Sequence, residues 1–212
     1  MRLPRRGLVL CLLLGARTLS AQTASREYRP QLFVTSPAWH GIALTIMTEQ
    51  RMAMGNLMPT ERSQGVGIGS PSYEHGSAAF EVRQVRNAGA IIEHRYSPSI
   101  TLTGGIGAGL LLRNRVRLEM RDIAGTWSRR YQNRATLERR ASVHGTMVTP
   151  FVFHDISYDT RFSVWNRRQG GIGARVAASR GLTVEPFWME QTDTRKTDGT
   201  VRAIGLNLRV SL

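Results

Sequence analysis

The stretch RNRVRLEMRD, residues 113–122, sets arginine at 113, 115, 117 and 121 and glutamate at 119, with Asn114, Val116, Leu118 and Met120 between them. Alternation with period two describes a strand that has one charged face and one largely apolar face. Such a charged face can lie against water, a ligand or carboxylates, but not against hydrocarbon. The same alternation returns downstream. In AIGLNLRVSL (203–212), Ile204, Leu206, Leu208, Val210 and Leu212 share one face and Ala203, Gly205, Asn207, Arg209 and Ser211 the other. GGIGARVAAS (170–179) sets Ile172, Ala174, Val176 and Ala178 against Gly173, Arg175 and Ala177. GLTVEPFWME (181–190) groups Leu182, Val184, Pro186 and Trp188, with Phe187 and Met189 blurring the opposite face.

From Ser128 to Arg140 the even positions Arg130, Gln132, Arg134, Thr136, Glu138 and Arg140 form another polar face. RNRVRLE at 113 and QNRATLE at 132 look like versions of one unit, as adjacent strands built alike would be. Weaker strand signals fall at 31–36, 41–50, 65–70, 77–85, 90–96 and 100–105, while AMGNLMPTERSQ (53–64) reads as a loop. No stretch carries a helical apolar stripe with caps, and there is no linker to divide the chain. The expectation is one domain over residues 22–212.

The beginning of the chain, MRLPRRGLVLCLLLGARTLSAQ, has arginines at 2, 5 and 6, an apolar run from Leu8 to Leu14, and small residues before Gln22. This is the layout of a signal peptide over residues 1–21. The apolar run is far shorter than the roughly 20 residues of a spanning helix. Cys11, the single cysteine, lies inside that peptide, so the exported chain is expected to have no thiol, disulfide or cysteine metal site. The chain has 29 basic and 15 acidic residues, with Lys196 its one lysine. Export turns this basicity away from nucleic acid and toward lipid, lipopolysaccharide or an anionic solute.

Strands with one oily and one charged face, in an exported chain, predict an all-β fold: a single antiparallel up-and-down transmembrane β-barrel of about 10 to 12 strands. With both termini periplasmic, the count would be even. The C-terminal connections alternate between long and short (192–199, 179–181, 157–163, 142–145), although 122–126 is short where that alternation asks for a long one.

At this point the residues resemble a known group. RNRVRLEMRD, SRRYQNRATLERR, TPFVFHDISYD, WNRRQGGIGARVAASRGLTVEPFWM and RAIGLNLRVSL are similar to the bacterial outer-membrane barrels collected as domain of unknown function 2490. The resemblance is good over residues 88–212 and loose before that. Phe151 stands where that family commonly has tyrosine, and Leu212 where many outer-membrane barrels have phenylalanine. It implies an outer-membrane location in a Gram-negative bacterium and insertion by the barrel-assembly machinery, and it lends no activity.

In a barrel, an arginine on the lipid face at mid-depth costs about 2 to 4 kcal/mol, so the arginine rows are expected to face the lumen. The lumen-facing candidates are Arg113, Arg115, Arg117, Glu119, Arg121, Arg130, Arg134, Glu138, Arg175 and Arg209, with Glu119, Glu138 and Glu185 as acidic neighbours. Three readings stay open: a salt-bridge mesh filling a structural or envelope barrel, a small anion-preferring pore, and a site for an anionic solute. Rivals from other classes are an outer-membrane lipid-modifying enzyme and a secreted soluble β-barrel that binds an anionic or apolar ligand.

The glycine clusters GVGIGS and GGIGAG lack the strand-loop-helix setting of a phosphate loop and are read as bend points. Trp39, Tyr96, Trp127, Tyr131, Phe151, Phe153, Tyr158, Trp165 and Trp188 fall mostly near strand ends, as an interfacial girdle would. His40, His75, His94, His144 and His154 have no spacing that singles out a catalytic or metal-binding set, so no enzyme, cofactor or metal is expected.

Overall fold

Long β-hairpins account for almost all of the computed structural model, which describes residues 24–70, 75–87, 92–194 and 199–212. The expected signal peptide lies outside the described residues. The strands are β1 (Ser25–Thr35), β2 (Ala43–Ala53), β3 (Pro59–Gly69), β4 (Gly76–Asn87), β5 (Ile92–Gly105), β6 (Leu110–Ile123), β7 (Thr126–Arg139), β8 (Ala141–Val143), β9 (Thr146–Asp159), β10 (Val164–Ser179), β11 (Leu182–Asp193) and β12 (Thr200–Ser211). β8 continues β7 beyond a break at Arg140, and both pair with β9. Arg140 therefore sits exposed at that break instead of extending the polar face of β7.

With β7 and β8 counted as one stave, 11 staves close into a barrel. Each stave pairs antiparallel with its neighbour in sequence, and β1 closes the ring by pairing parallel with β12, from Ser25↔Val201 to Thr35↔Ser211. The expected even count, with the first and last strands antiparallel, is corrected here. Successive hairpins reverse direction, so an odd number of staves brings the last alongside the first in parallel.

The end at which β12 finishes is called the mouth below, and the end at which it begins the base. Among the described residues, connections at the mouth span 36–42, 106–109, 144–145 and 180–181; those at the base span 54–58, 124–125 and 160–163. Short and longer connections occur at both ends, so the alternation of turn lengths expected from the C-terminal half does not extend around the barrel. The tightest turns place Ala124-Gly125 and His144-Gly145 at positive φ, as two-residue hairpins that follow the strand twist require. Asp122 secures the first of these by accepting a hydrogen bond from the Gly125 amide at 2.9 Å.

Two expectations about elements change. Residues 59–64, read as loop, are the first half of β3. Glu61 and Ser63 point inward there while Arg62 and Gln64 point outward, so neither face is apolar and the alternation is invisible. Of the segments read as two strands at 90–96 and 100–105, the described residues 92–96 and 100–105 belong to one strand, β5, running through Pro98. Proline has no amide to donate, and the β5–β6 pairing runs to Tyr96↔Met120 and resumes at Ser99↔Arg117.

Polarity is inverted relative to a water-soluble fold. Charged and amide side chains such as Glu93, Arg121, Glu138, Asp155, Asp159 and Gln191 are buried inside, whereas Ile46, Val66, Ile68, Ile100, Leu102, Val116, Ile172 and Ile204 are exposed around the outside.

Candidate functional site: the arginine-lined lumen

Period two turns every other residue of each stave inward, and antiparallel register then decides which of those residues meet. On β6 the inward row is Arg113, Arg115, Arg117, Glu119 and Arg121. On β7 it is Arg130, Gln132, Arg134, Thr136 and Glu138, with Arg117↔Gln132 and Arg115↔Arg134 directly opposed. Arg175 from β10 and Arg209 from β12 join them around the same cavity.

Toward the base, the lumen is filled by an ion-pair mesh. Asp159 on β9, at 0% exposure, accepts from Arg121 at 3.0 Å, Arg130 at 2.9 Å and Arg161 at 3.0 Å. Arg121 also binds Glu93 across the β5–β6 pair, and Glu93 holds Arg95 at 2.8 Å. Arg130 reaches Glu119 at 3.5 Å, and Arg167 reaches Asp193 at 3.1 Å. Gln169 donates to Gln191 at 2.7 Å, which extends the mesh along the β10–β11 pair.

Toward the mouth the packing loosens into a cavity of about 690 Å³. Its wall includes Arg113, Arg115, Arg117, Glu119, Arg130, Arg134, Arg175 and Arg209, and its rim carries small residues such as Ala43, Gly69 and Ala79. Glu138 sits within reach of Arg175 at 2.7 Å and Arg113 at 3.3 Å; Glu185 binds Arg175 at 3.0 Å and Arg209 at 3.7 Å. Exposure follows the same gradient. The side chains of Arg121 and Arg130 are 6% exposed, while that of Arg209, nearest the mouth, is 45% exposed.

Inward aromatic rings shape this wall. Phe187 lies over Gly205, Phe151 over Gly173 and Phe153 over Gly171; a Cβ at Gly205 would fall 2.0 Å from the Phe187 ring. Rings covering glycines of neighbouring strands keep those strands close and fill the space the missing side chains leave. Arg175 then stacks on Phe151 at 5.2 Å, Arg134 on Phe153 at 4.8 Å and Arg209 on Phe33 at 4.4 Å. Phe151 and Phe153, expected in an interfacial girdle, therefore belong to the lumen. Tyr96, Trp127, Tyr131, Tyr158 and Trp165 lie outside, near the base, where Tyr96 stacks with Trp127 and Tyr158 meets both Tyr131 and Trp165.

Arg115 differs from its neighbours. It forms no ion pair among the described residues, and its Nε is buried without a hydrogen-bond partner. Across the β6–β7 pair it faces Arg134, a like charge.

The sequence reading missed the acids that matter most: Glu81, Glu93, Asp155 and Asp159. Part of the signal was present. Glu-x-Arg recurs as EYR (27–29), EQR (49–51), EVR (81–83) and EHR (93–95), and each pair closes within its own strand at 2.8 to 3.2 Å. Residues two apart share a strand face, so the motif marks an inward face even where the opposite face is not apolar. His94 and His154 point outward and His144 occupies a turn. No group of three or more metal-ligating side chains forms among the described residues.

No family model and no curated protein matches the chain.

Proposed function

We propose that this protein is an outer-membrane β-barrel with a structural or envelope role, filled at its base and open only as a blind, arginine-lined vestibule at its mouth. One observation carries the reading: the barrel buries most of its charges inside and exposes a band of large apolar side chains outside, the arrangement that hydrocarbon demands and water penalises. The ladder of interstrand hydrogen bonds closes on itself around the 11 staves, and among the described residues the short β8 extension alone keeps one edge without a strand partner. The signal-peptide layout and the resemblance to the domain of unknown function 2490 family support the same location. The proposal assigns no chemical step to the protein.

The Asp159 mesh argues against a through-channel. Reconstituted into a planar lipid bilayer, the full chain is expected to give no steady conductance. A stable ohmic channel would overturn the filled-lumen reading and restore the anion-preferring pore.

A second reading, an anionic solute held in the vestibule, is favoured by one observation: the unpaired Arg115 guanidinium facing Arg134 on the cavity wall. Saturable binding of a small polyanion that is lost in Arg115→Gln would support it. Equal binding by both chains would contradict it.

A further inference from the structure

Most of the basic excess of the chain does not sit in the lumen. Inward arginines are met there by Glu27, Glu49, Glu81, Glu93, Asp155 and Asp159, together with the acids of the vestibule. The outer surface near the base is different. Arg26, Arg62, Arg86, Arg129, Arg168 and Arg202, from six different staves, are all exposed there, each between two inward-facing neighbours. Arg62 lies directly opposite Arg86 on β3 and β4, and Arg26 directly opposite Arg202 on β1 and β12. Like charges facing each other across a strand pair are destabilising by themselves. Two acids share this outer surface among the described residues. Asp122 is tied to the Gly125 backbone, and Glu190 binds Arg202 at 3.0 Å.

A second set of residues marks the same level. Tyr96, Met120 and Arg129 form one cross-strand row, and the Tyr131–Tyr158–Trp165 contacts continue the aromatic belt around the wall. Above it, toward the mouth, the outer positions turn to Val66, Ile68, Ile100, Val116 and Ile172. Aromatic rings beside guanidinium groups at the border of an apolar band describe a lipid headgroup level. Guanidinium forks match phosphate oxygens, and phosphates between Arg62 and Arg86 or Arg26 and Arg202 would relieve the opposed charges.

We infer that the outer arginine ring at the base binds phosphate-bearing headgroups of anionic membrane lipid and so fixes which end of the barrel meets the anionic leaflet. This rests on the membrane-spanning reading above. The test purifies the full-chain barrel from membranes, exchanges it into mixed micelles of phosphatidylglycerol and phosphatidylcholine, and measures by mass spectrometry which lipid it retains. The chain is expected to retain phosphatidylglycerol preferentially. Each ring arginine removed should lower that preference about fivefold, the equivalent of about 1 kcal/mol toward an anionic surface. R62Q/R86Q and, on the other side of β2, R26Q/R202Q should each lose it, while R139Q/R140Q near the mouth should keep it. An embedded barrel with no lipid preference would overturn the proposal alone, as would an equal loss in R139Q/R140Q or abolition of the preference by millimolar inorganic phosphate. A chain that never enters the membrane fraction would instead overturn the reading beneath it.

Discussion

Asp159 is the residue on which most of the interior depends. Its carboxylate is fully buried and shared by three guanidinium groups, and the Arg161 amide adds a backbone hydrogen bond at 3.1 Å. Replacing it with asparagine keeps the shape but leaves cations in the mesh without their counter-charge. Removing one partner from a buried ion pair costs about 3 to 5 kcal/mol, because the remaining charge stays desolvated. Asp159→Asn should therefore unfold at clearly lower urea concentration in vesicles, while Glu190→Gln, whose pair with Arg202 is exposed, should change by about 1 kcal/mol or less. Equal stability of the two variants would contradict the mesh. The inward turn of Arg113, Arg115 and Arg117 was legible because period two is local and the alternative face is apolar. Asp159 was not legible: two of its three partners lie 29 and 38 residues away in sequence, and only the register of β6, β7 and β9 brings them together.

Among the elements, β6, β7, β10, β11 and β12 were readable because one face of each is apolar over most of its length. β3 was not, since Glu61, Arg62, Ser63 and Gln64 put polar groups on both faces, one serving the lumen and the other the outer surface near the base. β5 was split by Pro98, whose effect is confined to the β6 side of its ladder. Missing the start of β3 and the union of β5 obscured the stave count, and the parallel β1–β12 seam follows from that count alone. The two faces of a stave should respond oppositely to charge. Val116→Lys places an ammonium on the outer apolar band and should destabilise the barrel in lipid by about 2 to 4 kcal/mol. Thr45→Lys points into the vestibule and should lose only the hydrogen bond to Thr35, about 1 kcal/mol. Urea titration of both variants in the same vesicles checks the difference, and equal penalties would contradict the assignment of faces.

For the whole molecule, three layers of chemistry follow from one alternation repeated around a ring. Inside, carboxylates and arginines largely neutralise one another and close the base; at the mouth the same wall opens into the vestibule; outside, an apolar band ends in aromatic rings and exposed arginines at the base. The basic composition suggested an anion-seeking lumen, whereas the acids concentrate inside and much of the excess positive charge is displayed on the outer wall. Composition alone carries no such radial information, because it does not say which side of each strand a charge takes. The most direct test of the central claim is to express the full-length chain, isolate outer membranes, and run that fraction on a gel unboiled and boiled. A membrane-embedded band that migrates differently before and after heating is predicted, as a closed, detergent-resistant barrel requires. A soluble periplasmic protein with no heat-dependent shift would contradict the account, and the exposed apolar band would then need a protein or ligand to cover it.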